Sequence, residues 1–181
     1  MKKLVLIVAV SFILVINQTG VAQEEMHLGI GANLAIPITE FADNWANIGF
    51  GGTGLYMVSI GPKYAFTVQS GYLYFTDKDV GNDIKSKTRS IPVMLGLRHF
   101  FGTSETANLL IGAMAGIHYI KVETEGSGIG ISSSETKFSI APEIGLRINR
   151  WEISGTLTSI STSTITSQYI GIRAGYNFKV K

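Results

Sequence analysis

Histidine, glutamate and serine side chains in the middle of the chain are of the types that nucleophilic catalysis uses. His118 is followed by Glu123, by Glu125 and by the run from Ser132 to Ser134. A serine that is activated by a histidine, with a carboxylate that orients the ring, can attack an ester or an amide. The spacing of these residues does not by itself bring them together. A hydrolase or acyltransferase site is therefore an alternative, and the leading prediction has no catalytic residues.

The sequence gives little support for a metal or a nucleotide cofactor. His27, His99 and His118 do not form a His-x-x-x-His pair, and the chain has no cysteine. Gly49 to Gly54 matches G-x-G-x-x-G, but a dinucleotide site needs a helix after these glycines. The residues from Leu55 to Ile60 continue as a strand-like segment instead. We therefore predict neither a metal site nor a cofactor-binding site.

Charged residues recur at alternate positions of otherwise apolar segments. They are Arg98, Glu143, Arg147, Glu152 and Arg173. Alternation with a period of two residues is typical of a strand with one apolar and one polar face. Charges that are enclosed by such strands must pair, because an unpaired buried charge is very costly. These five side chains are predicted to form an internal Arg–Glu network.

The elements that would position these charges are eight strand-like segments. The last is the clearest, because its apolar residues alternate with polar and small ones from Tyr169 to Phe178. The segments are Met26–Ile36, Phe50–Ile60, Lys63–Phe75, Lys87–Phe101, Asn108–Val122, Thr136–Asn149, Trp151–Ser161 and Ser167–Phe178. Each is long enough to cross a bilayer as a tilted strand, which takes about 9–11 residues. The second is the least clear, because glycines blur its two faces.

Long and short connections alternate along the chain. The long ones are Pro37–Gly49, Thr76–Ser86 and Glu123–Glu135; the short ones are Gly61-Pro62, Gly102–Ala107 and Arg150, and Thr162–Thr166 is intermediate. Outer-membrane barrels have short periplasmic turns and longer outer loops. The sequence therefore predicts an all-β, eight-stranded antiparallel up-and-down transmembrane barrel with both termini in the periplasm. The lumen of such a barrel is only wide enough for side chains to fill it.

Aromatic residues fall near the two ends of the predicted strands. Tyr64, Phe101, Trp151, Tyr176 and Phe178 lie toward the periplasmic rim, and Tyr72, Tyr74, Tyr119 and Phe138 lie toward the outer rim. Amphipathic rings favour the interfaces of a bilayer, so we predict two aromatic belts. The general enrichment of strands in aromatic residues is the competing explanation.

The N-terminus has the features of a signal peptide. Lys2 and Lys3 precede an apolar run from Leu4 to Ile16, which is shorter than the roughly 20 residues of a spanning helix. Gly20 and Ala22 supply the small residues at positions −3 and −1 that a signal peptidase needs. We predict a signal peptide over residues 1–22, with cleavage after Ala22, and a barrel domain over residues 23–181. Removing the two lysines from the 15 basic residues leaves 13 basic against 13 acidic, which gives no electrostatic argument for binding nucleic acid.

The alternating segments, the Ile91-Pro92-Val93 stretch after a polar loop and the closing Tyr169–Phe178 run resemble the outer-membrane β-barrel domain family. That family is common among Bacteroidetes and is related to the small OmpA/OmpX-type barrels. The resemblance covers the whole mature chain. It implies insertion by the general outer-membrane assembly machinery and no particular activity. Such chains often end on an aromatic residue, whereas Lys179-Val180-Lys181 follow Phe178 here.

The predicted location is the outer membrane of a Gram-negative bacterium, where lipid and lipopolysaccharide would surround the barrel. The leading function is a structural or surface-interaction role, in which outer loops meet an extracellular ligand. The first of these loops contains Phe41 and Trp45. Alternatives are a narrow porin-like channel, a lipid A-modifying enzyme and a soluble periplasmic lipocalin-like carrier. Inward-facing charges are unfavourable for a carrier, which needs an apolar cavity.

Overall fold

The computed structural model describes residues 25–38, 41–42, 46–79, 85–102, 107–126, 129–161 and 166–180. The strands are β1 (Met26–Ile38), β2 (Gly49–Ile60), β3 (Tyr64–Asp79), β4 (Lys85–Phe101), β5 (Ala107–Gly126), β6 (Ile129–Ile148), β7 (Trp151–Ser161) and β8 (Thr166–Lys179). Each pairs antiparallel with the next, and β8 pairs with β1, so the sheet closes into a barrel. The predicted fold is confirmed. In the described part of the chain, no helix is long and apolar enough to cross a membrane. The predicted signal peptide and Ala22 lie outside the described residues.

The two faces of the wall follow the period-two pattern of the sequence. On β8, Ile170 and Ile172 are exposed on the outside, and Arg173 is buried on the inside. On β4, Leu97 is 60% exposed, whereas its neighbour Arg98 is 1% exposed. A wall that exposes its large apolar side chains is unfavourable in water and favourable against lipid. The fold therefore matches a bilayer environment.

Strand β2 has a continuous register despite its glycines. It pairs with β1 from Val58 to Gly49 and with β3 from Tyr64 to Phe75. A Cβ atom added at Gly51 would lie 1.8 Å from the carbonyl oxygen of Tyr72, so only glycine allows this close approach. The G-x-G-x-x-G match therefore lies inside a strand.

Tight turns close the periplasmic end. Gly61 follows β2 with a φ of 76°, a left-handed conformation that glycine adopts without a steric penalty. Asn149 follows β6 with a φ of 54°, and asparagine tolerates this region better than most residues. The pairing of Ile148 with Trp151 makes Asn149-Arg150 a two-residue hairpin turn.

The outer ends of β5 and β6 correct the predicted third loop. Residues Glu123–Glu135 were expected to be a long connection, but β5 runs to Gly126 and β6 begins at Ile129. The second predicted loop is shorter as well, because β3 extends to Asp79 and β4 begins at Lys85. Where a strand extends beyond the bilayer, both of its faces contact water, so its apolar and polar residues need not alternate. The serines and glycines of this stretch therefore resemble a loop in the sequence, although hydrogen bonds to β5 make them part of strand β6.

Candidate functional site

The centre of the lumen is an Arg–Glu network on four strands. Arg98 on β4 binds Glu143 on β6 through both carboxylate oxygens, with Nε–Oε2 at 2.8 Å and Nη2–Oε1 at 2.7 Å. Arg98 Nη1 also donates to Glu152 Oε1 at 3.1 Å, and Arg173 Nη1 donates to the same oxygen at 2.7 Å. Each of these four residues is at most 3% exposed. Bidentate, charge-assisted bonds of this kind are among the strongest in proteins.

A glycine on β5 lets Arg98 reach Glu143. Both residues are in register with Gly112, which lies between them on the intervening strand. A Cβ atom at Gly112 would lie 2.9 Å from the carbonyl oxygen of Leu97, 3.1 Å from Arg98 Cγ and 3.3 Å from Glu143 Oε2. A larger side chain would therefore occupy the space that the ion pair crosses.

Glycines on β1 and β8 make room for the Arg173 guanidinium in the same way. A Cβ atom at Gly175 would lie 2.6 Å from Arg173 Nη2, and one at Gly31 would lie 3.0 Å from Nε. These glycines therefore shape the lumen around an arginine, a role that sequence reasoning did not assign to them.

Arg147 lies at the periplasmic edge of the network. Its Nη2 atom donates to Glu152 Oε2 at 3.2 Å, and its guanidinium carbon lies 4.5 Å from the centre of the Phe100 ring. Its side chain is 15% exposed. Asn177 also donates to Glu152, at 3.4 Å. Glu152 thus accepts hydrogen bonds from Arg98, Arg147 and Asn177 as well as from Arg173, and the structure brings all five charges predicted from the sequence into one network.

A second polar layer lies between the network and the outer end. His118 Nδ1 is 2.8 Å from Ser139 Oγ, and His118 Nε2 is 3.0 Å from the Tyr169 hydroxyl. Ser139 Oγ donates to the sulfur of Met94 at 3.2 Å. One tautomer satisfies every bond: Nδ1–H donates to Ser139, and the Tyr169 hydroxyl donates to Nε2. In that arrangement the serine proton does not point at the histidine, so the pair is not set up as nucleophile and base.

Of the residues in the predicted catalytic alternative, His118, Glu123 and Ser132 do not come together, and the side chain of Glu125 lies outside the described part of the structure. His118 is 1% exposed inside the barrel. Glu123 has the opposite strand parity and binds Lys121 and Arg89 at 2.6 and 3.2 Å. Its register partner Ser132 is exposed. Among the described residues, no group of three or more His, Asp or Glu side chains could hold a metal ion.

An apolar cap closes the outer end of the lumen. Phe41, from the connection after β1, is 5% exposed and packs edge-to-face on Phe75, with ring centres 5.4 Å apart. Phe75 contacts Tyr169 at 6.2 Å, and Ala46 is buried in the same cluster. The sequence predicts Phe41 and Trp45 in an outer loop; Phe41 is buried in the cap instead, and Trp45 lies outside the described residues. A cavity of about 40 Å³ separates the network from His118 and Tyr169.

Aromatic rings line both rims of the outer wall. Trp151 is 63% exposed and contacts Tyr176, and Tyr64 is 57% exposed beside His99. Of the other predicted belt residues, Tyr72, Phe101, Tyr119, Phe138 and Phe178 are exposed, and Tyr74 is partly exposed. From Tyr64 to Tyr74 the strand rises about 33 Å at about 3.3 Å per residue, or about 25 Å vertically at a tilt near 40°. That height equals the usual apolar band of such barrels.

A lipid-facing wall, a filled lumen and short turns at one end define a small transmembrane β-barrel of the outer membrane. The sequence matches the profile of the outer membrane protein beta-barrel domain over residues 6–178. The chain belongs to this family. It is an outer-membrane protein, with both termini on the periplasmic side.

Solved structures of small outer-membrane barrels share the fold. The N-terminal β-barrel domain of Pseudomonas aeruginosa OprF has a TM-score of 0.61 at 15% identity, covering 86% of this chain and 100% of that one. Ail of Yersinia pestis has a TM-score of 0.59 at 15% identity, covering 87% and 100%. Neisserial surface protein A has a TM-score of 0.62 at 12% identity, covering 85% and 96%. A search of curated protein sequences finds no match.

Proposed function

We propose that this protein is a closed outer-membrane anchor that presents a strand edge for contacts outside the cell. The observation that carries the proposal is the pairing of β6. Within the described residues, Ile129–Phe138 pairs with β5 only, and pairing with β7 begins at Ser139. We call the extension formed by residues 85–90 of β4, 119–126 of β5 and 129–138 of β6 the outer sheet.

The free edge of the outer sheet suits an extended peptide. An edge strand offers a row of backbone N–H and C=O groups, and a strand from another protein can pair with them. Ile131 is 65% exposed, and the three serines after it carry no charge that would repel a partner. The first charges on this strand are Glu135 and Lys137, which pair with each other at 2.6 Å. Residues Ile131–Ser134 are therefore the proposed contact segment.

The charges of the outer sheet favour backbone recognition over binding of a polyanion. Arg89 and Lys121 both bind Glu123, so these cations already have a carboxylate partner. Ail of Yersinia pestis has been solved in complex with the heparin analogue sucrose octasulfate. A sulfated ligand that bound Arg89 and Lys121 would have to displace Glu123 from them, and addition of a strand has no such cost.

Proline substitutions on the free edge test the proposal. Successive N–H groups of a strand point to opposite edges. One of the two variants, Ser132→Pro or Ser133→Pro, therefore removes a backbone donor on the free edge and leaves the hydrogen bonds to β5 in place. We expect that variant to reduce attachment of expressing cells to a serum-protein-coated surface. The control Ser59→Ala, at the periplasmic end of β2 and outside the contact segment, should attach like wild type. The amount of folded barrel is checked by its heat-modifiable migration on gels. Wild-type cells that attach no better than cells without the protein would refute the proposal.

A further inference from the structure

The periplasmic end of the lumen opens into a cavity, which lies at the opposite end of the barrel from the outer sheet and the apolar cap. This vestibule has a volume of about 530 Å³, and turn residues Gly61, Pro62 and Arg150 lie on its rim. Cavities of this size accommodate small-molecule ligands. Its cations are Arg147, Arg150 and Lys179, and Glu25 is the one carboxylate among the described lining residues.

The ion pairs of the vestibule leave two arginines in excess. Lys179 donates a hydrogen bond to Glu25, so that pair is internally neutral. Arg150 has a hydrogen bond of 3.4 Å to the hydroxyl of Tyr176, which carries no compensating charge. Arg147 shares Glu152 with Arg98 and Arg173.

The network above the vestibule is itself short of one negative charge. Its described members are three arginines and two glutamates. Arg98 binds both oxygens of Glu143. Glu152 is therefore the one described carboxylate that pairs with both Arg147 and Arg173. Excess positive charge in a partly buried site favours a bound anion.

Arg147 is the member through which an anion could reach this charge. It is the one arginine of the network that lines the vestibule, and its Nε has no hydrogen-bond partner among the described residues. The ring of Phe100 lies 4.5 Å from its guanidinium carbon and holds the planar group in place. The Nη2 atom of Arg147 already donates to Glu152 and to the sulfur of Met57, so Nη1 and Nε are the guanidinium donors left for an oxygen of a carboxylate or a phosphate.

We propose that the vestibule binds the oxyanion group of a small periplasmic solute, a carboxylate or a phosphate, with Arg147 as its main ligand and Arg150 at the rim. The bound group supplies the negative charge that the lumen network lacks. The site is independent of the outer sheet, so either proposal can fail without the other.

Anion titration of the folded barrel in lipid nanodiscs tests this site. Succinate, inorganic phosphate and chloride are added at constant ionic strength, and binding is followed by calorimetry and by the NMR signals of arginine Nε–H groups. We expect saturable binding of succinate or phosphate and weaker binding of chloride. The anion that binds more tightly shows whether the site prefers a carboxylate or a phosphate. Arg147→Gln should weaken binding by about tenfold or more, because hydrogen bonds to a charged group are lost.

Two further variants decide how a change is interpreted. Arg147→Lys keeps the charge but loses the planar fork, so it should fold and still bind the oxyanion more weakly than wild type. Arg89→Gln removes an arginine at the outer end and should leave the affinity unchanged. Equal affinity in wild type and both Arg147 variants would overturn the proposal, and so would an equal loss in Arg89→Gln. Identical binding of chloride and the oxyanions would show a general charge effect and would overturn it as well.

Discussion

Replacement of Glu152 by glutamine should destabilise the barrel more than any other single loss of a carboxylate in the lumen. Glu152 accepts bonds from Arg98 at 3.1 Å, Arg173 at 2.7 Å and Arg147 at 3.2 Å. Glutamine keeps the shape but removes the charge, which leaves three arginines facing Glu143 alone. Removing one partner of a buried ion pair costs about 3–5 kcal/mol. With a urea dependence near 2 kcal/mol/M, the unfolding midpoint should fall by about 1.5–2.5 M.

Urea unfolding in lipid vesicles, followed by heat-modifiable migration, measures this change. The matched control is Glu135→Gln, which removes an exposed carboxylate paired with Lys137 and should shift stability by less than about 1 kcal/mol. The double variant Glu152→Gln with Arg173→Gln removes one cation with the carboxylate, so it should recover part of the loss. Equal midpoints for wild type and Glu152→Gln would mean that the lumen network does not stabilise the fold.

Three further outcomes follow from the geometry of the lumen and its ends. Gly112→Val should separate Arg98 from its carboxylate partner Glu143 and lower the urea midpoint of unfolding in the same vesicles. Its control, Gly52→Val at an exposed position, should lower the midpoint less, because a Cβ atom there has no contact closer than 3.8 Å. Phe41→Ala should loosen the outer cap and speed hydrogen exchange of the Tyr169 amide, and unchanged exchange would show that the cap is not a barrier. A hydrogen bond from Lys179 lowers the pKa of Glu25, so this pair stabilises the barrel at neutral pH and the contribution is lost as the pH falls through that lowered pKa. An NMR titration should show the Glu25 pKa rising in Lys179→Ala, and an unchanged pKa would contradict the assignment.

The wall and the network of this barrel follow from local alternation, which the sequence displays directly. Glu143 and Arg173 each stand between apolar neighbours, and Arg98 follows Leu97 in the alternating run of β4, so their inward direction is predictable from parity alone. Their mutual bonds depend on register across several strands. The role of Gly112 is visible only once Arg98 and Glu143 are known to flank it.

Features that depend on non-local contact could not be predicted in the same way. The outer part of β6 contains Ser132–Ser134 and has no apolar alternation, so it resembled a loop although hydrogen bonds to β5 make it a strand. Phe41 follows a strand by a few residues, and its burial requires the Phe75 and Tyr169 rings that the closed barrel supplies. His118 precedes Glu123 along the chain, whereas the fold gives it Ser139 and Tyr169 as partners.

Side chains close the lumen from the Arg–Glu network up to the apolar cap. Single-channel recording of the purified, folded barrel in planar bilayers tests this closure most directly. The described lumen has a cavity of about 40 Å³ between the network and the His118 layer, room for only a few water molecules. We predict no large, stable conductance at moderate voltage and salt. A large pore that stays open in repeated insertions would contradict the closed lumen and favour a channel.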